Sequence, residues 1–367
     1  MYPLEKIKVL DLSRILAGPW ASQFLADLGA EVIKVERPQK GDDTRSWLPP
    51  ALETLDGGSL SAYFLSANRG KKSIAIDLKT EIGQRIIRAL ASESDVLIEN
   101  FKTGNLAKYG LDYSTLKKIN PKLIYCSITG FGQTGPYSTF PGYDYVIQAM
   151  SGLMSVTGEK NGLPMRVGIP VADLFTGLNA VVGILAALYF RQQTGKGQHI
   201  DLALFDTMVS MLSTQNMNYL VGKQTPSRTG IRNPNVVPYQ LLKTRNGYIV
   251  IAVGNDDQFQ KLCSLLELDD LKHDKRFITN SARLKNQDDL IEKISRKVAT
   301  HSLDFLLKAC AKIGVPAGPV NSIPEALSCE QIKHREIVFN LESSDTIEGF
   351  IPQLRNPLKF SEMDGIY

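Results

Sequence analysis

Asp173 stands at the head of a long apolar run, MRVGIPVADLFTGLNAVVGILAALYF (residues 165–190), and the next charged side chain is Arg191. A carboxylate so placed has two chemical uses. As an N-cap it would accept backbone N–H bonds from a helix starting at Leu174 and be steadied by the positive helix end. As a nucleophile it would attack an activated carbonyl once its water shell is stripped away. With an ordinary carboxylate pKa of about 3.9 it would need no general base at neutral pH. The two uses are compatible, because N–H donors at a helix start would hold the anion ionised. Gly168, Ala172 and Gly177 are small enough to let a substrate come close.

Other reactive side chains form no such pattern. Cys126, Cys263, Cys310 and Cys329 are scattered without a CxxC pair, and His199, His273, His301 and His334 are equally dispersed. This predicts a reduced, cytoplasmic enzyme with no metal, each cysteine serving as a small buried hydrophobe. Residues 130–135 match GxGxxG, but Pro136 follows at once and no helix can open there to meet a pyrophosphate. Glu36 ends a second strand where a dinucleotide enzyme would hold a ribose, yet the turn before that strand's helix, SRILAGP, lacks the glycine spacing.

The elements that must position Asp173 alternate. IKVLDL (7–12) reads as a strand, WASQFLADLG as a helix closed by Gly29, and AEVIKVE (30–36) as the next strand. KSIAIDL, EIGQRIIRALASES, DVLIENF, YSTLKKIN and KLIYCSI continue the pattern, which predicts an α/β fold with a parallel sheet covered on both faces. Ligands of such sheets meet the loops beyond the strands' carboxyl ends, here SRILAGP, ERPQKGDDTR, ENFKTGN and TGFGQTGP. Residues 178–190 read as a buried helix, too short to span a bilayer. HIDLALFD is a further strand leading into helical TMVSMLSTQNMNYL. YQLLKTRNGYIVIAVG reads as a hairpin whose Asn246 and Gly247 supply positive φ angles. The expected organisation is a large Rossmann-like domain (1–221), a linker (222–238), a small α+β domain (239–325) and a C-terminal segment (326–367) returning toward the large domain.

The chain has 367 residues, 43% hydrophobic and 22% charged, enough for a sizeable core. A net charge of +4, spread along the chain, speaks against a nucleic-acid partner but suits a ligand with a few phosphates. The N-terminus, MYPLEKIKVLDLS, shows no cleavable apolar segment, so no membrane partner is expected.

The motifs together resemble one family. VLDLSRILAGPWASQFLADLGAEVIKVERPQKGDDTR, ANRGKKSIAIDLK, DVLIENFKTGNLAKYGLDY, GFGQTGPYSTFPGYDY, VADLFTG, QTGKGQHIDLALFD, NGYIVIAVGNDDQF and GVPAGPVNSIPEAL are similar, in order, to the class III CoA-transferases. The resemblance implies an interlocked homodimer and a reaction with acyl-CoA and carboxylic acid substrates. It implies no redox cofactor and an aspartate, here Asp173, that forms first an anhydride and then a thioester with CoA. It places CoA near Ile15, Arg37, Ile76, Lys79, Asn100, Phe101, Lys108 and Tyr143, with Asp144 orienting the reacting end. Arg37, Lys79 and Lys108 would meet adenine or phosphates, though each alone reads as a solvated charge. Asn100 would meet pantetheine or satisfy loop backbone, and Phe101 otherwise reads as core.

The same fold hosts α-methylacyl-CoA racemases, which carry a His where this chain has Tyr143. No His lies in residues 1–198, which favours transfer over racemisation. Leu16 stands where the formyl-CoA branch has Gln, and Gly254 is alone where that branch has a glycine run. VGNDDQF is closer to the succinyl-CoA–glutarate branch, which points to dicarboxylate acceptors, with Arg14 or Arg166 on a distal carboxylate. The chain ends at DGIY, shorter than the family pattern. No heptad or apolar stripe in the sequence announces an interface.

Overall fold

The computed structural model describes residues 2–363. The chain forms two compact units. The larger takes in residues up to Ser155, Arg166–Pro226, and everything from Glu330 on. The smaller takes in Val156–Met165 and Ser227–Cys329.

The larger unit is built on a six-stranded sheet. Its strands are β1 (Lys8–Asp11), β2 (Glu31–Glu36), β3 (Lys71–Ala75), β4 (Val96–Glu99), β5 (Ile124–Thr129) and β6 (His199–Ala203). All neighbours pair in parallel, in the order β3-β2-β1-β4-β5-β6. This is the Rossmann order, with its reversal between β1 and β4. β4 and β5, VLIE and IYCSIT, are buried throughout, as strands covered on both faces must be.

Alternate residues of each strand feed the two faces. Val9, Ile98, Ile124 and Ile128 pack with Ala21 and Leu25 of α1 (Ala17–Asp27). Leu10, Leu97 and Tyr125 face the other way. They meet Ile87 and Ala91 of α2 (Glu81–Glu93) and Leu116 of α3 (Tyr113–Ile119). Two further helices, α4 (Asp144–Met150) and α5 (Val171–Thr194), join the first face, followed after β6 by α6 (Leu204–Met211). Thr80 caps α2 by accepting from Gly83 N at 3.0 Å. A two-stranded hairpin, Val338–Glu342 with Phe350–Leu354, completes the unit, and its Gln353 accepts from Arg69 Nη1 at 2.8 Å.

The helix α5 corrects two expectations. It starts at Val171, not Leu174, and Pro170 occupies the N-cap position. It runs for 24 residues, long and apolar enough to cross a membrane by length and composition. It is also buried on only one side. Ala180, Val181, Ile184 and Ala187 enter the core, whereas Leu178, Val182, Leu185 and Tyr189 are exposed. Those four recur at spacings of four, three and four, so the structure reveals an apolar stripe that the sequence did not announce.

In the smaller unit, β7 (Tyr239–Lys243) and β8 (Tyr248–Ala252) pair antiparallel, and β9 (Ala317–Pro319) adds to β8. Ile249 and Ile251 pack on α7 (Asp256–Leu265), α8 (Gln287–Thr300) and α9 (Leu303–Ile313) through Phe259, Leu262, Leu290, Ile294 and Leu306. The expected hairpin forms, but neither Asn246 nor Gly247 has positive φ. The turn closes through Thr244 N on Gly247 O at 2.9 Å, and Asn246 Oδ1 instead accepts from Leu303 N at 2.9 Å, satisfying a donor at the start of α9. Residues 222–238 are more structured than a linker. Gly222 ends a helix, Thr214–Gly222, and Arg232 bridges Gln240 across the start of β7. The last four residues of the expected C-terminal segment lie outside the described residues.

Candidate active site

At a topological switch point two neighbouring strands send their loops in opposite directions and leave a crevice between them. Here β1 is followed by Arg14, Ile15, Leu16 and Ala17, and β4 by Asn100, Phe101, Lys102 and Thr103. Both sets line one cleft of about 160 Å³. Its remaining wall comes from Gly130, Ser138, Phe140, Pro141, Gly142 and Tyr143, with Asp173 opening into it from the first turn of α5. A Cβ on Gly130 would lie 2.7 Å from Gly142 Cα, so these two loops touch only because both residues are glycine. The GxGxxG segment thus closes a cleft wall, and no helix opens from it.

The cleft brings together Ile15, Asn100, Phe101, Tyr143 and Asp173. Asp144 stands just behind. Its Oδ1 accepts from Ala172 N at 2.7 Å and its Oδ2 from Gln148 Nε2 at 2.7 Å. Asp144 therefore caps α5 from another helix, which leaves Asp173 free of that duty. The side chain of Asp173 accepts no hydrogen bond among the described residues. Burial, and then the neighbouring Asp144 charge, push its carboxyl up to about 7. The expectation that backbone N–H groups hold Asp173 ionised is therefore corrected: with nothing donating to it, the charge is poorly solvated.

The remaining expected CoA contacts do not line the cleft. Arg37 is exposed and paired with Asp43, which also takes Arg14 Nη1 at 2.9 Å. Ile76 is core, packed with Leu10, Val35 and Ile87. Lys79 is exposed, and Lys108 is exposed with Nζ 3.2 Å from Asn105 Oδ1. Asn100 faces the cleft, but its amide is already engaged. Oδ1 accepts from Arg14 N at 2.9 Å and Nδ2 donates to Arg14 O at 2.7 Å. Glu36 is no ribose acceptor, being held by Arg45 at 2.7 and 2.8 Å, Ser73 at 2.6 Å and Asp42 N at 2.8 Å. Burial alone would raise its carboxyl, but these partners hold it at about 2.

Sequence reasoning missed several groups around the cleft. Tyr63 lies close enough to Asp173 and Asp144 that their charges, after burial, help push its phenol up to about 12. Burial pushes Glu99 up to about 7 while its Oε2 accepts from Phe101 N at 2.8 Å, pinning one cleft residue. Lys34 and Asp42 pair at 2.9 Å beneath the residue 13–16 loop. Nothing in their spacing signals this, since each acts across the fold.

The site is thus a Rossmann-type crevice at a switch point, with a half-buried carboxylate that receives no hydrogen bond among the described residues. The chain belongs to CoA-transferase family III, whose sequence pattern matches residues 4–367. It is a CoA-transferase, and its likeness to named relatives is extensive. It is 50% identical over 361 residues to the succinate–glutarate CoA-transferase of Agrobacterium fabrum, covering 98% of this chain and 90% of that one. It is 39% identical to the acetyl-CoA:oxalate CoA-transferase of Acetobacter aceti, over 99% of this chain and 90% of that one. The crystal structure of a CAIB/BAIF family protein from Brucella suis superposes with a TM-score of 0.86 at 50% identity, covering 100% of this chain and 94% of that one.

Proposed function

We propose that this enzyme moves CoA from a donor thioester to a small dicarboxylic acid, with Asp173 as the covalent nucleophile. An Asp173 oxygen bonds to the donor's acyl carbon, the C–S bond breaks, and CoA leaves as thiolate, giving a mixed anhydride. The thiolate then bonds to the Asp173 carbonyl carbon and the donor acid leaves as carboxylate, giving an aspartyl-CoA thioester. The acceptor carboxylate reverses both steps: it displaces CoA from Asp173, and the thiolate takes the new acyl group, restoring the aspartate. Thioester energy is retained because each bond broken is replaced by one of similar reactivity.

The observation that carries this reading is the state of Asp173: half-buried, opening into the switch-point cleft, and without a donor. A carboxylate with no hydrogen-bond donor and only partial access to water is the more nucleophilic one. A racemase would need an acid/base pair, and the cleft position expected to carry a histidine holds Tyr143. The dicarboxylate acceptor is supported by the likeness to a succinate–glutarate enzyme and by Arg14. Arg14 lines the cleft, and its buried Nε has no hydrogen-bond partner among the described residues. Arg166 is exposed and donates to Val167 O at 3.1 Å. The exposed α5 stripe supports pairing with a second copy of the chain, which light scattering on the purified protein measures directly.

Incubation with succinyl-CoA, trapping with hydroxylamine or borohydride, and peptide mass spectrometry test the mechanism. The expected adduct is on Asp173. Turnover with no adduct, or an adduct on another residue, removes Asp173 from the role of nucleophile.

A further inference from the structure

We propose that Lys34 and Asp42 are positioning residues for the transfer, holding the residue 13–16 wall of the cleft in place and so keeping water from the intermediate on Asp173. This deepens the reading above and rests on it.

The wall is not held by its own secondary structure. Between the end of β1 and the start of α1, its backbone polar groups are taken by side chains from elsewhere in the unit. Lys34 Nζ, from β2, donates to Ser13 O at 2.9 Å. Asn100, beyond β4, takes both Arg14 N and Arg14 O. Asp42, beyond β2, accepts from Ile15 N at 3.3 and 3.2 Å. Ile15 has φ of 71°, a left-handed conformation that a β-branched residue adopts only under constraint. Three outside clasps on consecutive residues supply that constraint.

Lys34 and Asp42 are the buried part of the device, with side chains 2% and 0% exposed. One ammonium serves Ser13 O and Asp42 together. One carboxylate serves Ile15 N, Lys34, Thr44 N at 3.0 Å and Thr44 Oγ1 at 2.8 Å. No neutral side chain offers four acceptor sites at once. Burying two charges is costly, and what this pair secures is the course of one loop. That loop presents Ile15 and Leu16, both apolar, to the cleft that holds Asp173.

The consequence is chemical. If the wall opens, water reaches the aspartyl-CoA thioester. Its oxygen bonds to the carbonyl carbon, the C–S bond breaks, CoA leaves as the thiol with one water proton, and the carboxylate returns with release of the other proton. The donor has then been spent without transfer. The partition between hydrolysis and transfer reads this directly, whereas a loss of folded protein lowers both rates together and leaves the ratio alone.

The test is the double variant Lys34→Met with Asp42→Ala, which removes both charges and leaves no lone buried ion. With succinyl-CoA and excess acceptor acid, free CoA and new acyl-CoA are measured together, and circular dichroism confirms the fold. The expected result is a hydrolysis-to-transfer ratio raised at least about tenfold, with KM for succinyl-CoA also raised. A wild-type ratio in folded protein overturns the inference. Should the double variant not fold, the milder pair Lys34→Gln with Asp42→Asn removes the same two charges and keeps polar side chains at both places. A raised ratio there supports the proposal, and an unchanged one overturns it. Failure of Asp173 labelling counts against the nucleophile, whereas an unchanged ratio with Asp173 labelled counts against the clasp alone.

Discussion

Replacing Asp173 by asparagine should make the protein more stable while abolishing its activity, and the gain should depend on pH. Burial and Asp144 raise the folded carboxyl from 3.8 to about 7. At about 1.4 kcal/mol per pH unit, ionising it in the fold costs roughly 4 kcal/mol. Water reaching the half-buried group screens part of that, leaving roughly 2–4 kcal/mol. Below about pH 4 folded and unfolded chains both keep the proton, and the penalty is absent. Between about pH 4 and 7 the unfolded chain ionises first, so stability falls as pH rises, and above about 7 the loss is complete. Asparagine has no proton to lose. Its melting temperature should lie only slightly above wild type near pH 4.5, pull ahead as pH rises, and stay about 4–8 °C above it beyond pH 7.5. Thermal unfolding followed across pH 4.5–8.5 reads the difference, and any offset from the amide's own contacts is constant with pH. A difference that is flat, or that shrinks toward alkaline pH, refutes the claim that Asp173 sits poorly solvated in the native fold.

The same carboxylate should shape the rate. The kcat/KM for acyl-CoA should climb with pH and level off above about 7, and Asp144→Asn should move that midpoint down by removing the like charge, as a pH–rate profile will show. Arg14→Met should raise KM at least about tenfold for dicarboxylate acceptors and leave monocarboxylates nearly unaffected, measured by acceptor kinetics at fixed succinyl-CoA. Gly177→Ala should destabilise the larger unit by about 1–3 kcal/mol in urea unfolding. Its new Cβ would stand 2.7 Å from Ala17 O and 3.0 Å from Trp20 Cδ1, forcing α1 and α5 apart.

Local chemistry carried much of this fold into the sequence. The apolar strands β1, β2, β4 and β5 and the turn-rich stretches after them needed only periodicity and punctuation to be read; the loops after β1 and β4 line the cleft as the parallel topology implies, whereas the loop after β2 does not and residues 138–142 were not foreseen. What stayed hidden acts across distance. Asp173 reads as a cap because acids favour helix starts, but the cap is Asp144, nearly thirty residues earlier in the chain, which accepts from Ala172 N at 2.7 Å. Asn246 and Gly247 read as a tight turn, yet Asn246 is recruited by α9. Arg37 reads as a free cation until Asp43 is seen to hold it. Lys34 lies in an ordinary strand, where nothing marks a lysine that will be buried under the loop of another strand.

Gly177 also divides the cleft into a part that is set and a part that is free to vary. There α1 and α5 approach so closely that a Cβ on Gly177 would stand 2.7 Å from Ala17 O, and both Ala17 and Asp173 line the cleft from the amino ends of these two helices. Arg14 reads the distal carboxylate from one side, and the opposite bank, residues 138–143, sits in loop and turn. Exchanging side chains on that bank would reshape the cleft without disturbing the close helix contact behind Asp173.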